Sequence, residues 1–433
     1  MKSKLAKLFL LTIGLIFVWG FSGISGWGYD PGWHVHNGLN ILQHGVVFHQ
    51  DGFTWKAPNT PWANPEWGFD LLVGWIYSLF GWFGDRLLVV VVYALLFGVV
   101  LWHSRLKPLE SGWIWIIFFF VASSAAAIRP QIISYLFFTI AIIGILRGWN
   151  LYLLSLMVIP WNNFHASAVL WLGLLAIETL VSPKKRSMWK PWFISLCGFI
   201  ASPNGVGALL SFTKDQSNPL SLTVPEWMSP DFHGILPWIL ISLLVVSGYW
   251  VSQKGDLRAK LWITVGTSAF LYSQRFGFYA LIIGVALLNE YYEIGGKIGS
   301  LISVGIFSIV LVMSPSLLNQ PFAQPVELPA VQYLKSINAT NILNQYEYGS
   351  TIEIEGLKPI CDGRNIWLEH RWYENYFKTL IGKYPLAKLL KDDIPEARYA
   401  VFPLECVTTY QIQELPEWKE IYYDDKVGIW EKE

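Results

Sequence analysis

The sequence predicts an α-helical polytopic membrane protein that ends in a small soluble α/β domain. Only 14% of the 433 residues are charged and 53% are hydrophobic, whereas soluble domains carry about a quarter charged residues. Hydrophobic runs recur from Leu5 to Leu318 and then stop. The 24 tryptophans fit a protein with two membrane interfaces, where amphipathic rings collect. A wholly soluble protein is therefore excluded, while the formal net charge of zero says nothing about partners.

The first hydrophobic run, Leu5 to Ser22, follows a lysine-rich start. A signal peptide has the same order of charged and apolar residues. However, the residues around Trp27 lack a small-x-small cleavage site, and many hydrophobic runs follow. We therefore expect an uncleaved helix with a cytoplasmic N-terminus, because positively charged flanks stay inside.

The second hydrophobic run decides the topology. Phe69–Trp82 has 14 residues, which is short because a helix needs about 20 residues to cross the hydrocarbon. If this run lies at the outer interface and Leu87–Trp102 is the next span, every later basic cluster falls on the cytoplasmic side. The clusters are Arg105/Lys107, Arg147, Lys184/Lys185/Arg186/Lys190, Lys254/Arg258/Lys260 and Lys297. Because this one assumption places all five basic clusters on the cytoplasmic side, we predict an interfacial helix at 69–82.

This arrangement gives about eleven transmembrane helices, with the N-terminus inside and the C-terminal domain outside. The spans are predicted at 5–22, 87–103, 112–128, 131–147, 150–162, 165–182, 190–206, 235–252, 260–273, 276–290 and 298–315. The transmembrane domain thus covers 1–318 with a large outer loop at 24–85, and an extracytoplasmic domain covers 319–433. The expected location is the cell membrane, as a multi-pass protein.

After Pro321 the composition becomes that of a soluble domain. Strand patterns occur at Asn341–Ile354, Tyr399–Pro403 and Ile421–Trp430, and helical patterns occur at Ala330–Ile337 and Trp372–Leu390. Their order predicts a small α/β domain, joined by the proline-rich linker Pro315–Pro329. Cys361 and Cys406 lie in this tail, and the sequence leaves open whether they pair.

Titratable and aromatic side chains concentrate in the first outer loop, between Gly26 and Asp70. They are Asp30, His34, His36, His44, His49, Asp51, Glu66 and Asp70, among several tryptophans. In the predicted topology, further polar segments lie at outer helix ends and face the same side. These segments are Arg129-Pro130-Gln131, Trp161–His165 and Gln274-Arg275. Because the inner loops are short and basic, this asymmetry predicts an active site at the outer face of the membrane.

Three short motifs of the first loop together resemble a known superfamily. They are Tyr29-Asp30-Pro31-Gly32-Trp33-His34, Asp51-Gly52-Phe53-Thr54 and Trp62-Ala63-Asn64-Pro65-Glu66-Trp67. With the interfacial helix that follows, they resemble the GT-C superfamily of integral membrane glycosyltransferases. Other motifs are similar to one bacterial branch of it, namely Arg129-Pro130-Gln131, Trp161-Asn162-Asn163-Phe164-His165 and Asp362-Gly363-Arg364. The resemblance covers nearly the whole chain, and its specificity lies in the combination.

The resemblance implies an enzyme that takes a sugar from a polyprenyl-phosphate carrier and transfers it to an acceptor on the outer face, usually with inversion. Asp30 matches the position of the family's catalytic base. Many members have two adjacent acids there, whereas Pro31-Gly32 follow Asp30 in this chain, which argues against the metal binding of some relatives. No cofactor is therefore assigned, and a divalent metal stays open. The implied partners are the lipid-linked donor, membrane lipid and a glycan, lipid or protein acceptor, with no nucleic acid.

The residue types fit this chemistry. An acceptor hydroxyl is a poor nucleophile near neutral pH, so a carboxylate must take its proton as the new bond forms. Asp30 is the first candidate for this base and Glu66 is the second. The departing polyprenyl phosphate is an anion, which Arg129 and Arg275 are placed to stabilise. The residues predicted to bind substrate are Trp33, His34, His36, Asp51, Arg129, Gln131, Asn163, His165 and Arg275.

Each candidate has a structural alternative. Asp30 can cap the helix that follows, since Asp before Pro-Gly suits a helix start. A metal pair of His34 and His36 requires a strand, because residues two apart do not share a helix face. The remaining alternatives are interface anchoring for Arg129 and Arg275, backbone satisfaction for Asn163 and His165, favourable helix-dipole contacts for Glu66 and Asp70, and a plain turn for Asp362-Gly363-Arg364.

Two other functions stay open from the sequence. One is a non-catalytic relative that binds a glycan or a protein partner through the tail. The other is a lipid or glycan transporter, for which charged residues at mid-membrane would be expected. Asp30 separates catalysis from binding, because binding should survive its neutralisation and transfer should not.

Overall fold

The computed structural model describes residues 2–25, 30–108, 110–183, 187–205, 207, 225–293, 297–364 and 366–433. They are mostly helical, with one four-stranded sheet near the C-terminus. Six residues named above lie outside the described residues, namely Gly26, Trp27, Tyr29, Lys184, Lys185 and Arg186. Contacts divide the described chain into two compact units. The helical unit comprises the described parts of 1–26, 82–210 and 221–322, and the loop–tail unit comprises those of 27–81 and 323–433.

The main helices are numbered in chain order. They are α1 (Lys2–Ser25), α2 (Pro31–His44), α3 (Trp67–Trp102), α4 (Gly112–Ser123), α5 (Gln131–Leu146), α6 (Leu151–Leu156), α7 (Val158–Phe164), α8 (Leu170–Val181), α9 (Trp189–Ile200), α10 (Ile235–Lys254), α11 (Leu257–Tyr272), α12 (Gly277–Tyr291), α13 (Lys297–Leu318), α14 (Leu328–Ser336), α15 (Gly349–Ile354), α16 (Arg371–Leu380) and α17 (Val407–Gln413). Helices lie at the positions of all eleven predicted spans, although the span at 150–162 is divided between α6 and α7.

Three described helices are long and apolar enough to cross a membrane, namely Lys4–Gly23, Trp67–Trp102 and Ile235–Lys254. Further apolar helices have only 10–17 residues, fewer than the roughly 20 that a crossing needs. The predicted number of eleven transmembrane helices is therefore not confirmed. In the shortest predicted span, the side chain of Asn150 begins α6 by accepting a hydrogen bond from the Tyr152 amide at 2.8 Å, and the helix already ends at Leu156.

α3 is interrupted at Gly81, where φ is 58° and ψ is −158°. This conformation is almost restricted to glycine, because a Cβ would clash with the backbone. The interruption separates the run at 69–82 from the span at 87–102, and the division between the two units falls at the same residue. Two helical segments are thus present where the sequence predicts them. The interfacial position of the first segment stays a prediction.

The core of the helical unit lies around α12, which is buried from Gly277 to Asn289. This helix packs against α4, α5, α10 and α11. A helix that is apolar on all sides is expected to occupy such a central position. α1 packs against α4 and α13, and α13 also packs against α4. The first and last long helices of this unit are therefore neighbours and share α4 as a third.

The sheet of the loop–tail unit has the strand order β1-β2-β4-β3. Its strands are β1 (Ile342–Asn344), β2 (Tyr399–Pro403), β3 (Trp418–Tyr423) and β4 (Val427–Lys432). β1 and β2 are parallel, and the other neighbours are antiparallel. Successive strand residues face opposite sides, and both sides are covered, since Phe402 and Trp430 join one apolar core whereas Val401 and Ile429 join another. The tail therefore contains a small sheet with helices, as predicted.

The strand predicted over Asn341–Ile354 is wrong for most of its length. Only Ile342–Asn344 forms a strand, and Gly349–Ile354 forms α15. The reason is tertiary, because α15 packs against α2 of the first loop. Thr351 in α15 also donates a hydrogen bond to buried Glu327 at 2.5 Å, which alternation along a strand would not predict.

The described first loop packs with the tail rather than standing alone. The indole of Trp55 donates to the carbonyl of Ile342 at 2.9 Å, and Lys56 pairs with Glu396 at 2.8 Å. The sequence-based division at 318/319 stays a prediction, and the contacts group residues 30–81 with the tail. The cysteines are all unbonded in this structure, including buried Cys361 and half-buried Cys406.

Candidate active site

Asp30 stands at the N-terminus of α2, directly before Pro31. Its side chain makes no capping hydrogen bond to the helix, so the structure does not support the capping alternative. Its Oδ1 lies 3.5 Å from the indole Nε1 of Trp33. The backbone of Gly363 approaches so closely that a Cβ on this residue would overlap the same oxygen. The half-buried carboxylate is therefore placed between an indole and a glycine.

A buried hydrogen-bond network around Asp70 joins α2 to the start of α3. The carboxylate of Asp70 is fully buried and lies 2.5 Å from His34 Nδ1, while Asn37 and Asn64 donate to it at 2.6 and 2.7 Å. His34 and Asn37 are three residues apart, which places them on one face of α2. A buried carboxylate needs such partners, because an unpaired charge is costly away from water. Sequence reasoning gives Asp70 only a helix-dipole role and misses this network.

α2 and α3 cross at two glycines. A Cβ on Gly38 would overlap the carbonyl oxygen of Asp70, and a Cβ on Gly74 would lie 2.5 Å from the carbonyl carbon of Gly38. The two backbones therefore approach more closely than a larger residue allows. This approach keeps Asp70 within reach of His34 and fixes the direction of α2, at whose start Asp30 lies.

His34 and His36 point to different sides of α2, because each residue of a helix is rotated by about 100°. The metal-pair alternative required a strand, and 31–44 is helical. The ring of His34 stacks on Trp33 with centroids 3.6 Å apart, whereas His36 meets Phe53 edge-on at 4.8 Å. Trp33 is itself only 4% exposed, so in this structure its ring is covered by protein. The role of these side chains in substrate binding stays a prediction.

The surroundings of His34 favour its charged form. Burial lowers the pKa of His34, but the charges of Asp70, Glu66 and Asp30 outweigh burial and raise the pKa above its ordinary value. Glu66, the second candidate base, lies just before α3 with its carboxylate 4.0 Å from His34 Nε2. The side chain of Glu66 is 17% exposed, and its backbone amide donates to Asn64 Oδ1 at 2.9 Å. Glu66 thus lies beside the buried ring of His34.

Arg364 stands at the centre of a second buried cluster, which joins the first loop to the tail. Its guanidinium donates to both carboxylate oxygens of Asp362 and, at 2.9 Å, to Asp51 Oδ1. It also approaches Glu353 Oε1 at 3.4 Å. The aromatic rings of Phe53, Trp62 and Trp367 surround the guanidinium, with centroids 4.7 to 5.4 Å away. Asp51, predicted to bind substrate, is 2% exposed and is engaged inside the protein.

The acids of this cluster do not fit a divalent cation. Burial and the charge of Asp362 raise the pKa of Glu353 well above its ordinary value, which favours the neutral acid. Burial also raises the pKa of Asp362, but the Arg364 guanidinium outweighs this effect and holds it below its ordinary value. The Arg364 guanidinium therefore already occupies oxygens of Asp51 and Asp362 that a divalent cation would need. Among the residues that the structure describes, no three His, Cys, Asp or Glu side chains are arranged to hold a metal ion.

We expect His36 to make the loop–tail unit less stable in acid. Burial and the nearby Arg364 lower its pKa to about 4, against 6.5 for the ordinary side chain. The stability from neutral His36 is fully present above pH 6.5 and is lost as the pH falls toward 4, because only the unfolded chain binds the proton there. His36→Gln should flatten this acid limb in a plot of melting temperature against pH.

The matched control for this prediction is His34→Gln, because the raised pKa of His34 has the opposite sign. The stability from charged His34 is present below pH 6.5 and is lost as the pH rises through the higher pKa of the folded state. His34→Gln should therefore flatten the alkaline limb only. An acid limb in His36→Gln as steep as that of the native chain would contradict the prediction.

In the helical unit, the two arginines predicted to bind phosphate meet on one carboxylate. Arg129 Nη1 lies 3.1 Å from Glu226 Oε2, and Arg275 Nη1 lies 3.5 Å from Glu226 Oε1. Arg275 also lies over the ring of Trp227, 4.2 Å from its centroid. All three charged side chains are partly exposed. Two cations thus converge on one anion, and Glu226 is a residue that sequence reasoning misses.

The other predicted residues of this unit lie in or next to α5 and α7. Asn163 donates to two backbone carbonyls, in α7 and just after α9, at 2.8 and 2.9 Å, which agrees with its structural alternative. His165 Nδ1 lies 2.7 Å from Ser167 Oγ, which also accepts from the hydroxyl of Tyr279 at 3.0 Å. Gln131 begins α5, and its buried side-chain oxygen has no hydrogen-bond partner among the described residues.

The described part of the chain combines apolar helices, a large loop after the first of them and a small C-terminal sheet. Solved structures of two glycosyltransferases are similar to it in fold. The archaeal oligosaccharyltransferase AglB from Archaeoglobus fulgidus, in complex with an inhibitory peptide and a dolichol-phosphate, gives a TM-score of 0.63 at 10% identity over 92% of this chain and 69% of that chain. The apo form of the Archaeoglobus fulgidus oligosaccharyltransferase gives 0.59 at 10% identity over 92% and 70%.

The second enzyme is the arabinofuranosyltransferase AftD from mycobacteria. It gives a TM-score of 0.52 at 13% identity over 98% of this chain and 41% of that chain, so the present chain spans less than half of AftD. At these identities the similarity shows the fold alone. No family model matches the sequence, and a search of curated proteins finds no match.

Proposed function

We propose that this protein is a membrane glycosyltransferase that transfers a sugar from a polyprenyl-phosphate-linked donor to an acceptor at the outer face of the membrane, with inversion. The observation that carries the proposal is the Asp30 carboxylate, which is partly exposed, makes no capping bond and lies against Trp33 and Gly363. The GT-C fold supports the same class of reaction. The deciding experiment is transfer by the Asp30→Asn variant, with synthetic polyprenyl-phosphate monosaccharides as donors.

In the proposed reaction Asp30 acts as the general base. The proton of the acceptor hydroxyl passes to the Asp30 carboxylate while the acceptor oxygen bonds to the anomeric carbon. The bond between that carbon and the phosphate oxygen breaks, and the polyprenyl phosphate leaves with the electron pair as an anion. Attack from the side opposite the leaving group inverts the configuration. Glu66 is the alternative base, because its carboxylate is also partly exposed.

We assign the phosphate of the donor to Arg129 and Arg275. Their guanidiniums already share one carboxylate, that of Glu226, and a phosphate offers the same kind of anionic oxygens to such a pair. A lipid phosphate would therefore compete with Glu226 for the two cations. Dolichol-phosphate, which AglB holds in one solved structure, belongs to the same chemical class as the polyprenyl phosphate that leaves in the proposed reaction.

Removing either guanidinium should weaken binding of a short-chain polyprenyl phosphate by roughly tenfold to a hundredfold, because a charge-assisted hydrogen bond is lost. Lysine at either position should restore only part, since it lacks the planar fork. Glu226→Gln is the contrasting variant and should not weaken binding, because it removes the competing charge at nearly constant size. The measurement is a titration of the purified full chain in detergent. Unchanged binding in both alanine variants would remove Arg129 and Arg275 from the proposed site.

Two other functions give different results in the deciding experiment. A non-catalytic relative would bind glycans equally well before and after Asp30→Asn, and no variant would release polyprenyl phosphate from a donor. A transporter would move the intact donor across a bilayer and leave its glycosidic bond unbroken. Release of polyprenyl phosphate that depends on both the acceptor and Asp30 is expected only from the transferase.

A further inference from the structure

We infer that the turn Asp362-Gly363-Arg364 in the tail positions the Asp30 carboxylate, so that the C-terminal domain is part of the reaction site. The inference rests on the proposed function, because the position of Asp30 matters for transfer only if Asp30 is the base. Gly363 does not need to touch the substrate in this account. It is a positioning residue, and its effect passes through Asp30.

Gly363 is a glycine because of space rather than backbone conformation. Its φ lies outside the left-handed region, yet a Cβ there would overlap Asp30 Oδ1 and would lie 3.1 Å from Trp33 Nε1. Trp33 Nε1 is itself 3.5 Å from Asp30 Oδ1. The carboxylate is therefore confined by an indole of the first loop and by a backbone segment of the tail.

The turn that carries Gly363 is held on both sides of the glycine. The backbone amide of Arg364 donates to Asp362 Oδ1 at 2.8 Å, and its side chain donates to the same carboxylate. The guanidinium continues to Asp51 of the first loop at 2.9 Å. Asp362 is fully buried and Arg364 is 9% exposed. Because the flanking residues are fixed, a methyl group added at Gly363 should displace the Asp30 carboxylate rather than the turn.

A small displacement of a base has a large effect on rate. A general base must lie within about 2.6–3.2 Å of the group whose proton it takes, and a misplacement of about 1 Å can reduce the rate on the order of a hundredfold. The turn therefore explains why an enzyme of this kind would keep a tail domain packed on its first loop. It sets the position of Asp30 from a part of the chain more than 300 residues away.

A stability cycle on the full chain in lipid nanodiscs tests the contact without any substrate. Gly363→Ala should lower the melting temperature, and Asp30→Ala in the same chain should restore most of the loss, because the shorter side chain vacates the space of the new methyl group. Gly428→Ala is the matched control, since a Cβ there would overlap the ring of Trp430 instead. Asp30→Ala should not rescue this control.

Each result of the cycle decides the contact. Rescue of Gly363→Ala alone supports it, and this holds even if Gly363→Ala by itself fails to fold. A melting temperature of Gly363→Ala equal to that of the native chain would overturn the contact. A loss that Asp30→Ala leaves unrepaired, or repairs equally in Gly428→Ala, would also overturn it.

The catalytic consequence is measured with synthetic polyprenyl-phosphate monosaccharides, below the melting temperatures of all variants. Gly363→Ala should lower kcat by about tenfold to a hundredfold with little change in KM, whereas Gly428→Ala should keep both values. If Asp30→Asn abolishes transfer but Gly363→Ala has native kcat, the positioning inference fails and the proposed function stands. If Asp30→Asn transfers at the native rate, the proposed function fails and the positioning inference fails with it.

Discussion

Replacing Asp30 by asparagine should reduce sugar transfer at least about a hundredfold, the usual scale of a lost general base, and should leave the melting temperature nearly unchanged. Asparagine keeps the shape of the side chain but has no basic oxygen for the acceptor proton. The structure explains why little stability should be lost. Asp30 makes no capping bond to α2, and an amide oxygen can lie beside Trp33 Nε1 as the carboxylate does, at 3.5 Å.

Two further variants test whether Asp30 or Glu66 is the base. Asp30→Glu should retain little activity. The backbone of Gly363 leaves no room for a longer side chain, so the glutamate carboxylate must lie away from the position of the Asp30 carboxylate and is poorly aligned. Glu66→Gln tests the second candidate base in the same assay. Transfer by Asp30→Asn at the native rate would make Asp30 a structural residue. Loss of transfer in Glu66→Gln would then identify Glu66 as the base.

The parts of the fold that the sequence predicts well are those with local signals. Apolar runs locate the helices, and the pattern at Tyr399–Pro403 locates β2. The shortness of 69–82 anticipates the interruption that Gly81 makes in α3. Local signals fail where distant contacts decide, as in α15, whose residues alternate like a strand but are helical where they pack against α2. The number of spans also cannot be read from apolar runs alone, because many of the helices are short.

The candidate site was predictable in its residue types but not in its partnerships. The first loop stands out through its density of acids and histidines, which is why the sequence analysis names Asp30, His34 and Asp51, and their roles at a site stay predictions. Their partners lie far along the chain, since Asp51 and Arg364 are 313 residues apart and Arg129 and Glu226 are 97 apart. A three-residue motif cannot reveal which distant charge it will meet. Burial and Arg364 of the tail lower the pKa of His36, whereas the carboxylates around His34 outweigh burial and raise its pKa. The sequence does not reveal the tertiary contacts that cause these opposite shifts along α2.

Replacing Arg364 by methionine should destabilise the loop–tail unit by roughly 3–5 kcal/mol, because it leaves buried carboxylates without their cation. Methionine preserves much of the volume between the surrounding rings, so the effect reports the charge. Lys378→Met is the control, since Lys378 and its partner Glu374 are 43% and 51% exposed. Loss of such an exposed pair should change stability by less than about 1 kcal/mol. The measurement is denaturant unfolding of the full chain in detergent at neutral pH.

The dependence on pH and a rescue variant separate lost charge pairing from lost packing. Arg364 holds the pKa of Asp362 below its ordinary value of 3.8, so its stabilising effect is present above that pH and is lost as the pH falls. The difference between the native chain and Arg364→Met should therefore shrink in acid. Adding Asp51→Asn and Asp362→Asn to Arg364→Met should recover part of the stability at neutral pH, because no unpaired buried charge remains. If Arg364→Met has native stability, this cluster does not join the loop to the tail. The argument that Arg364 holds the turn at Gly363 in place would then fail as well.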